Sequence, residues 1–131
     1  MKRKIIVVTA AYGSEQIKAM GGQQAVLPLI ANAGADGAEI RRELLSDQEL
    51  NSLSTLAATI EGHRLLACYS APYALCLQDG SLNPHLPALF EEARPLKALW
   101  LKVSLGHYQR KDVLETLRGW LAESGMALVV E

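Results

Sequence analysis

The feature that most constrains this chain is a series of five short, β-rich apolar runs: Lys4 to Thr9, Gly37 to Arg41, Leu65 to Ser70, Leu99 to Ser104 and Ala127 to Glu131. They recur at intervals of roughly thirty residues, each bounded by Gly, Pro or polar clusters, with segments of helical periodicity between them. Parallel strands cannot be joined by a tight turn and need a crossover, usually a helix. The alternation therefore predicts βαβ units around a parallel sheet.

The intervening segments carry their own punctuation. A first helix is expected from Gln24 to Ala33, with Val26, Leu29, Ile30 and Ala33 on its buried face, Pro28 near its start and Gly34 as its stop. Ser46-Asp47-Gln48-Glu49 fits a capping box, and Leu50, Leu53, Ala57 and Ile60 continue as a buried stripe. Asn83-Pro84 opens a third helix whose apolar face is Leu86, Leu89, Phe90 and Ala93, ended by Pro95. A fourth runs from about Lys111 to Glu123, burying Val113, Leu114, Leu117, Trp120 and Leu121 before Gly125.

With 131 residues, half of them hydrophobic, the chain has material for one core, so residues 1–131 read as a single α/β domain. Four βα units and a fifth bare strand predict the first five strands and four helices of a (β/α)8 barrel, hence an incomplete barrel, since closure takes eight units and about 250 residues. The alternative is an open, doubly wound, flavodoxin-like sheet. An incomplete barrel would expose apolar strand faces and unpaired edges, so a homo-oligomer or association with a missing C-terminal half is expected.

The net charge of −1 gives no bulk attraction to nucleic acid or to an anionic membrane. The basic start followed by an apolar run imitates a signal peptide, but the run is short and is needed as the first strand. No stretch has the length of a transmembrane helix. Cys68 and Cys76 form neither a CxxC pair nor a zinc spacing and read as free thiols, which with the missing signal points to a cytoplasmic protein. Walker-A, GxGxxG, GxSxG and HExxH motifs are absent.

In parallel βα architectures the functional site gathers at the C-terminal strand ends. Here those ends supply Thr9 and Tyr12; Glu39, Arg41 and Glu43; Ser70, Pro72 and Tyr73; Lys102, Ser104 and His107; and Glu131. Period two puts Glu39 and Arg41 on one strand face, Lys102 and Ser104 on one face, and Ala127, Val129 and Glu131 on one face. Charges inside strands must be paired or hydrogen-bonded. They form either a substrate-binding cluster at the sheet mouth or a structural ionic layer. Of the histidines, His63 falls on the opposite side of the sheet, His85 in the capping region of the third helix, and His107 on the functional side.

Several stretches together resemble the sugar phosphate isomerase/epimerase superfamily, the xylose-isomerase-like TIM barrels. Ala33-Gly34-Ala35-Asp36-Gly37-Ala38-Glu39-Ile40-Arg41-Arg42-Glu43-Leu44 resembles that family's junction of first helix and second strand. Leu99 to Gly106 resembles the fourth strand of one subgroup, and Leu128-Val129-Val130-Glu131 a fifth strand ending in Glu. The resemblance implies a metal-assisted proton transfer between adjacent carbons of a keto or aldo sugar, free or phosphorylated. The divalent metal (Mn, Mg, Co or Zn) would be held by two Glu, an Asp and a His from strands five to eight. It makes Glu131 the one matching catalytic and metal-ligating residue. Glu39, Lys102 and His107, with Arg41 and Tyr12 beside them at the strand ends, would contact substrate. The implied site is incomplete in this chain, which would then be inactive alone. A non-catalytic α/β small-molecule-binding or interaction module is the alternative.

Overall fold

A computed structural model describes residues 2–131. Five parallel strands form one sheet: β1 (Ile6–Val8), β2 (Gly37–Arg41), β3 (Leu66–Cys76), β4 (Leu101–Gly106) and β5 (Leu128–Val130). Their spatial order is the order of the chain, β1-β2-β3-β4-β5. A doubly wound sheet reverses its strand order at a switch point. No such reversal occurs here, and successive strands of a barrel wall follow this same sequential order.

Six helices lie between the strands: α1 (Ser14–Met20) and α2 (Leu27–Asn32) after β1, α3 (Asp47–Leu50) and α4 (Leu53–Gly62) after β2, α5 (Leu86–Ala93) after β3, and α6 (Asp112–Ser124) after β4. Where the sequence predicts a helix from Gln24, a 3-10 turn spans Gln23–Val26 and α2 starts at Leu27. An α-helix from Gln24 would need the N–H of residue 28 to reach the Gln24 carbonyl, and Pro28 has none. The shift turns Leu29 and Ala33 outward, while Val26, Leu27 and Ile30 are buried. Helix α1 escapes pattern reading because only Ile17 of its residues is buried; Gly21, at φ +105°, ends it.

The capping box forms as the sequence predicts. Glu49 N–H donates to Ser46 Oγ at 3.1 Å, and Ser46 N–H donates to Glu49 Oε1 at 3.0 Å. Together they stabilise the helix start by about 1 kcal/mol. The helix breaks after Leu50, because the Ser52 hydroxyl turns back to the Gln48 carbonyl at 3.0 Å and competes with the helical ladder. It resumes as α4, where Leu53, Leu56, Ala57 and Ile60 form the stripe; Leu50 stays half-buried. Helix α5 starts at Leu86, with Asn83 Oδ1 accepting from His85 N–H at 3.0 Å. In α6, Val113 and Leu117 are buried, Trp120 and Leu121 are partly buried, and Leu114 is exposed.

Register sorts the strand residues into two faces, since directly paired residues in a parallel sheet point the same way. One face runs Val7, Ala38, Ala67, then Ile40, Tyr69, Leu101, Leu128. Most of it is buried in one cluster with Ile17, Val26, Ile30, Ile60, Phe90, Val113 and other helix residues. Each fully buried large side chain there contributes roughly 1.5–3 kcal/mol. The other face runs Val8, Glu39, Cys68 at one level and Arg41, Ser70, Lys102, Val129 at the next. Cys68 on it is buried yet lies outside the helix-side cluster. This polar-lined face carries the candidate site.

Strand β3 is longer than its predicted end at Ser70. Its pairing with β4 breaks between Ser70 and Ala74 and then resumes, so Ala71, Pro72 and Tyr73 form a bulge. Proline has no N–H for a ladder and is tolerated at such a bulge. The bulge is tied down by Asn83 Nδ2, which donates to the Ala74 carbonyl at 3.0 Å, and by Ser104 Oγ, 3.4 Å from the Tyr73 carbonyl.

Candidate functional site

The strand ends enclose a small cleft of about 170 Å³. Arg41 from β2, Ser70 with the Ala71–Tyr73 bulge from β3, Lys102 and Ser104 from β4, and Glu131 just after β5 line it. Lys102 is the hub. Its Nζ lies 3.0 Å from Glu39 Oε1 and 3.5 Å from Glu131 Oε2, joining three strands through one ammonium. Burial alone would favour losing that proton, but the bond to Glu39 and the charges of Glu39 and Glu131 outweigh it, and the Lys102 pKa is raised. Lys102 is therefore a fixed cation at neutral pH.

Two polar atoms here have no partner: Glu39 Oε2 and Ser70 Oγ. Glu39 is 7% exposed and Ser70 4%. An orphaned buried polar atom costs about 1–3 kcal/mol; Ser70 belongs to the cleft lining, whereas Glu39 does not and reaches the cleft through its pair with Lys102. Cys68, between these charged neighbours, has its thiol pushed up to about 11 by burial and by Glu39. It is a neutral, buried residue, not a nucleophile.

The backbone at the cleft is set from the first βα loop. Gln23, fully buried, receives the Thr9 hydroxyl and the Arg41 N–H (3.0 Å) on Oε1, and its Nε2 donates to the Arg41 carbonyl at 2.9 Å. A side-chain amide thus stands in for one peptide group of a missing strand neighbour and fixes the end of β2. Arg41's guanidinium meets Glu43 at 2.7 Å. The next residue, Arg42, faces elsewhere: it forms a two-pronged pair with Glu92 of α5 at 2.7 and 2.9 Å, and Glu92 also accepts from buried Tyr69 at 3.0 Å. Glu92 raises the Arg42 pKa, while burial first and Glu92 second raise that of Tyr69. Arg42 lies 5.6 Å from the ring centre of Tyr73, so this network braces the bulge from behind.

Of the residues expected at the site, Glu39, Arg41, Lys102 and Glu131 come together. His107 is exposed, its N–H donating to the Cys76 carbonyl at 3.2 Å, and it does not line the cleft. Tyr12 ends a 3-10 turn and packs, half-buried, on the helix-side core. His85 is an exposed neighbour of the Tyr73 ring, and His63 caps α4 on the far side. Ser70, collected from the sequence as a strand-end residue, does line the cleft; Gln23 and Glu92 are not legible in the sequence as positioning residues.

Glu131 does not fit a divalent-metal site built from these residues. Its carboxylate is 76% exposed, and Lys102, a cation, occupies the space between it and Glu39. Among the described residues no three His, Cys, Asp or Glu side chains are grouped to hold an ion. A metal at Glu131 would need its other ligands from outside residues 2–131. Among the described residues no helix is long and apolar enough to cross a membrane. A larger groove of about 660 Å³ lies between α1 and the turn after β2, lined by Lys18, Glu43 and Glu49 among others, away from the Lys102 hub.

No protein-family model matches the chain, and no curated protein is significantly similar to it.

Proposed function

We propose that this chain is the substrate-binding part of a sugar isomerase/epimerase-type protein, an arc of a (β/α)8 barrel that holds a small keto or aldo sugar at its strand ends. The observation that carries this reading is the Glu39–Lys102–Glu131 bridge beside the unpaired Ser70 hydroxyl and Glu39 oxygen. Lys102 offers a fixed donor to a carbonyl or hydroxyl oxygen, and exposed Glu131 offers an acceptor that a sugar O–H can use. The same two groups are what proton transfer next to a carbonyl requires, a positive group near the oxygen and a carboxylate near the carbon. The sequential strand order and the resemblance of residues 33–44 to the family's second-strand junction support the lineage.

Association with a second copy, or with a C-terminal half of the barrel, is part of the proposal. Val129 and Val130 on the edge strand are exposed, as an unpaired barrel edge would be. The protein is proposed to work in the cytoplasm with its cysteines reduced.

Titration of D-xylulose or D-fructose into labelled protein, followed by amide chemical shifts, tests the binding. Shifts at Ser70, Lys102 and Ser104 that vanish in Lys102→Met are expected; sugars that leave these amides unmoved sink the reading. The non-catalytic alternative keeps the same cleft and is separated by deuterium uptake at the carbon next to the carbonyl in D2O. Mn²⁺ or Mg²⁺ alone is expected to bind no tighter than about millimolar by calorimetry, because one carboxylate beside an ammonium is a poor site.

A further inference from the structure

Two oppositely charged features stand at opposite ends of β1. At its entry, Lys2, Arg3 and Lys4 stand in a row, all exposed and, among the described residues, none in an ion pair. Ile5 follows them at 59% exposure, a large apolar side chain held out in water. Past the other end of the strand lies the groove of about 660 Å³ between α1 and the turn after β2. Its charged lining is Glu15, Glu43 and Glu49 against Lys18, and its apolar lining is Ile17, which is buried, with half-buried Leu44 and Leu45. The lining is therefore negative by two charges. Counting Arg41, which pairs with Glu43 from outside the groove, still leaves it negative by one. An acidic rim over an apolar floor fits a cationic segment that carries one apolar side chain. Three basic residues followed by isoleucine have that composition.

The segment does not reach its own groove. Ile5 N–H donates to Asp36 Oδ2 at 2.7 Å, and the Ile5 carbonyl accepts from the N–H groups of Asp36 and Gly37 at 2.8 and 3.2 Å. These bonds fix where the chain enters the sheet. From Ile5 the strand runs about 13 Å to Thr9, at roughly 3.3 Å per residue, before the loops that build the groove begin. Ile5 is thus held one strand length below its own groove, and the groove of another copy is the one it can enter.

We propose that the groove between α1 and the turn after β2 docks residues 2–5 of a second copy of this chain, the cations on its carboxylate rim and Ile5 on its apolar floor. The contact is independent of the sugar-binding reading and distinct from pairing of the edge strands. It joins two different patches, so it is heterologous and propagates head to tail, whereas an isologous pair stops at two. A four-residue contact falls below the roughly 1,200 Å² of a stable interface. The association is therefore weak and rests on charge.

Sedimentation velocity on the full chain tests this. At low salt the average mass should climb with protein concentration without a plateau at the dimer, and it should return to the monomer's in about 0.5 M NaCl, where exposed charges are screened. Edge pairing through backbone hydrogen bonds has no such salt response. In the same series, concentration-dependent amide shifts should gather at Gly21, Gly22, Leu44 and Ser46. The triple variant Lys2→Glu/Arg3→Glu/Lys4→Glu, changed only at exposed side chains, and the double variant Glu15→Lys/Glu43→Lys should each stay monomeric at low salt. Mixed together they should associate again, because the now acidic segment of one meets the now basic groove of the other. Wild type that is monomeric at its highest soluble concentration would overturn the proposal. So would assembly that neither salt nor either variant weakens, or a mixture of the two variants that stays monomeric.

Discussion

Replacing Lys102 with Met tests whether the hub is an energetic unit. The substitution keeps much of the side chain's apolar bulk and removes its charge, leaving Glu39, 7% exposed, with neither oxygen partnered. At 3.0 Å the gross attraction between these charges is about 5 kcal/mol at an effective dielectric of about 20. The Lys102 side chain is 23% exposed, so water recovers part of that. Removing one member of a buried pair typically costs 3–5 kcal/mol, and partial exposure puts the expectation near 3 kcal/mol. Glu131, 76% exposed, should contribute almost nothing to the loss. Urea unfolding at pH 7, followed by circular dichroism, should show the midpoint fall with an unchanged slope. The double variant Glu39→Leu/Lys102→Met, which removes the stranded carboxylate, should recover most of the stability. A single variant within about 1 kcal/mol of wild type, or a double variant no better than the single, would refute the reasoning.

Gln23→Ala removes three hydrogen bonds at a fully buried position. The loss should be about 3 kcal/mol, seen as a Tm drop on the order of 10 °C. Gly106→Ala should destabilise at least as much: at φ +70° its new Cβ would meet the Cys76 carbonyl oxygen and sit 2.7 Å from Ala74 Cβ, and expression in soluble form would report it. Native protein at pH 8 should resist iodoacetamide at both cysteines, since both are buried and burial raises both thiols, Cys68 to about 11; denaturant should expose both. Because the folded Lys102 pKa lies above its usual value, its contribution to stability is fully present below pH 10 and is lost as pH rises through the raised value. Wild type should therefore lose stability above pH 10 more steeply than Lys102→Met in a pH series of urea melts.

The parallel βα plan was legible because it rests on periodicity: β2 lies at Gly37–Arg41 as predicted, and the Ser46 capping box forms as written. The two-residue strand period put Glu39 with Arg41 on one face and Lys102 with Ser104 on one face; the register sets those faces on the same side of the sheet, and Glu39 and Lys102 meet at 3.0 Å. What periodicity does not contain is which local bond wins. Pro28 moved a helix start, Ser52 broke a helix, and Pro72 marked a bulge and not a strand end. The same holds for the site. The strand-end rule collected Glu39, Arg41, Lys102 and Glu131, but it also collected His107 and Tyr12, because it gives height along the sheet and not side-chain direction in a loop. Gln23 carries no sequence signal: its role depends on the Thr9 and Arg41 groups that only the folded chain brings beside it.

That glutamine has a consequence for how such a cleft can diversify. The height and angle of Arg41 are dictated by an amide on a loop that never touches the ligand space. Exchanges in the Gly21–Val26 segment can thus retune ligand preference at a distance, while every cleft side chain stays the same. A search for altered selectivity should begin at the positions of that segment beside the buried Gln23 and Val26, exposed Gly21 and Gln24 and partly exposed Gly22 and Ala25.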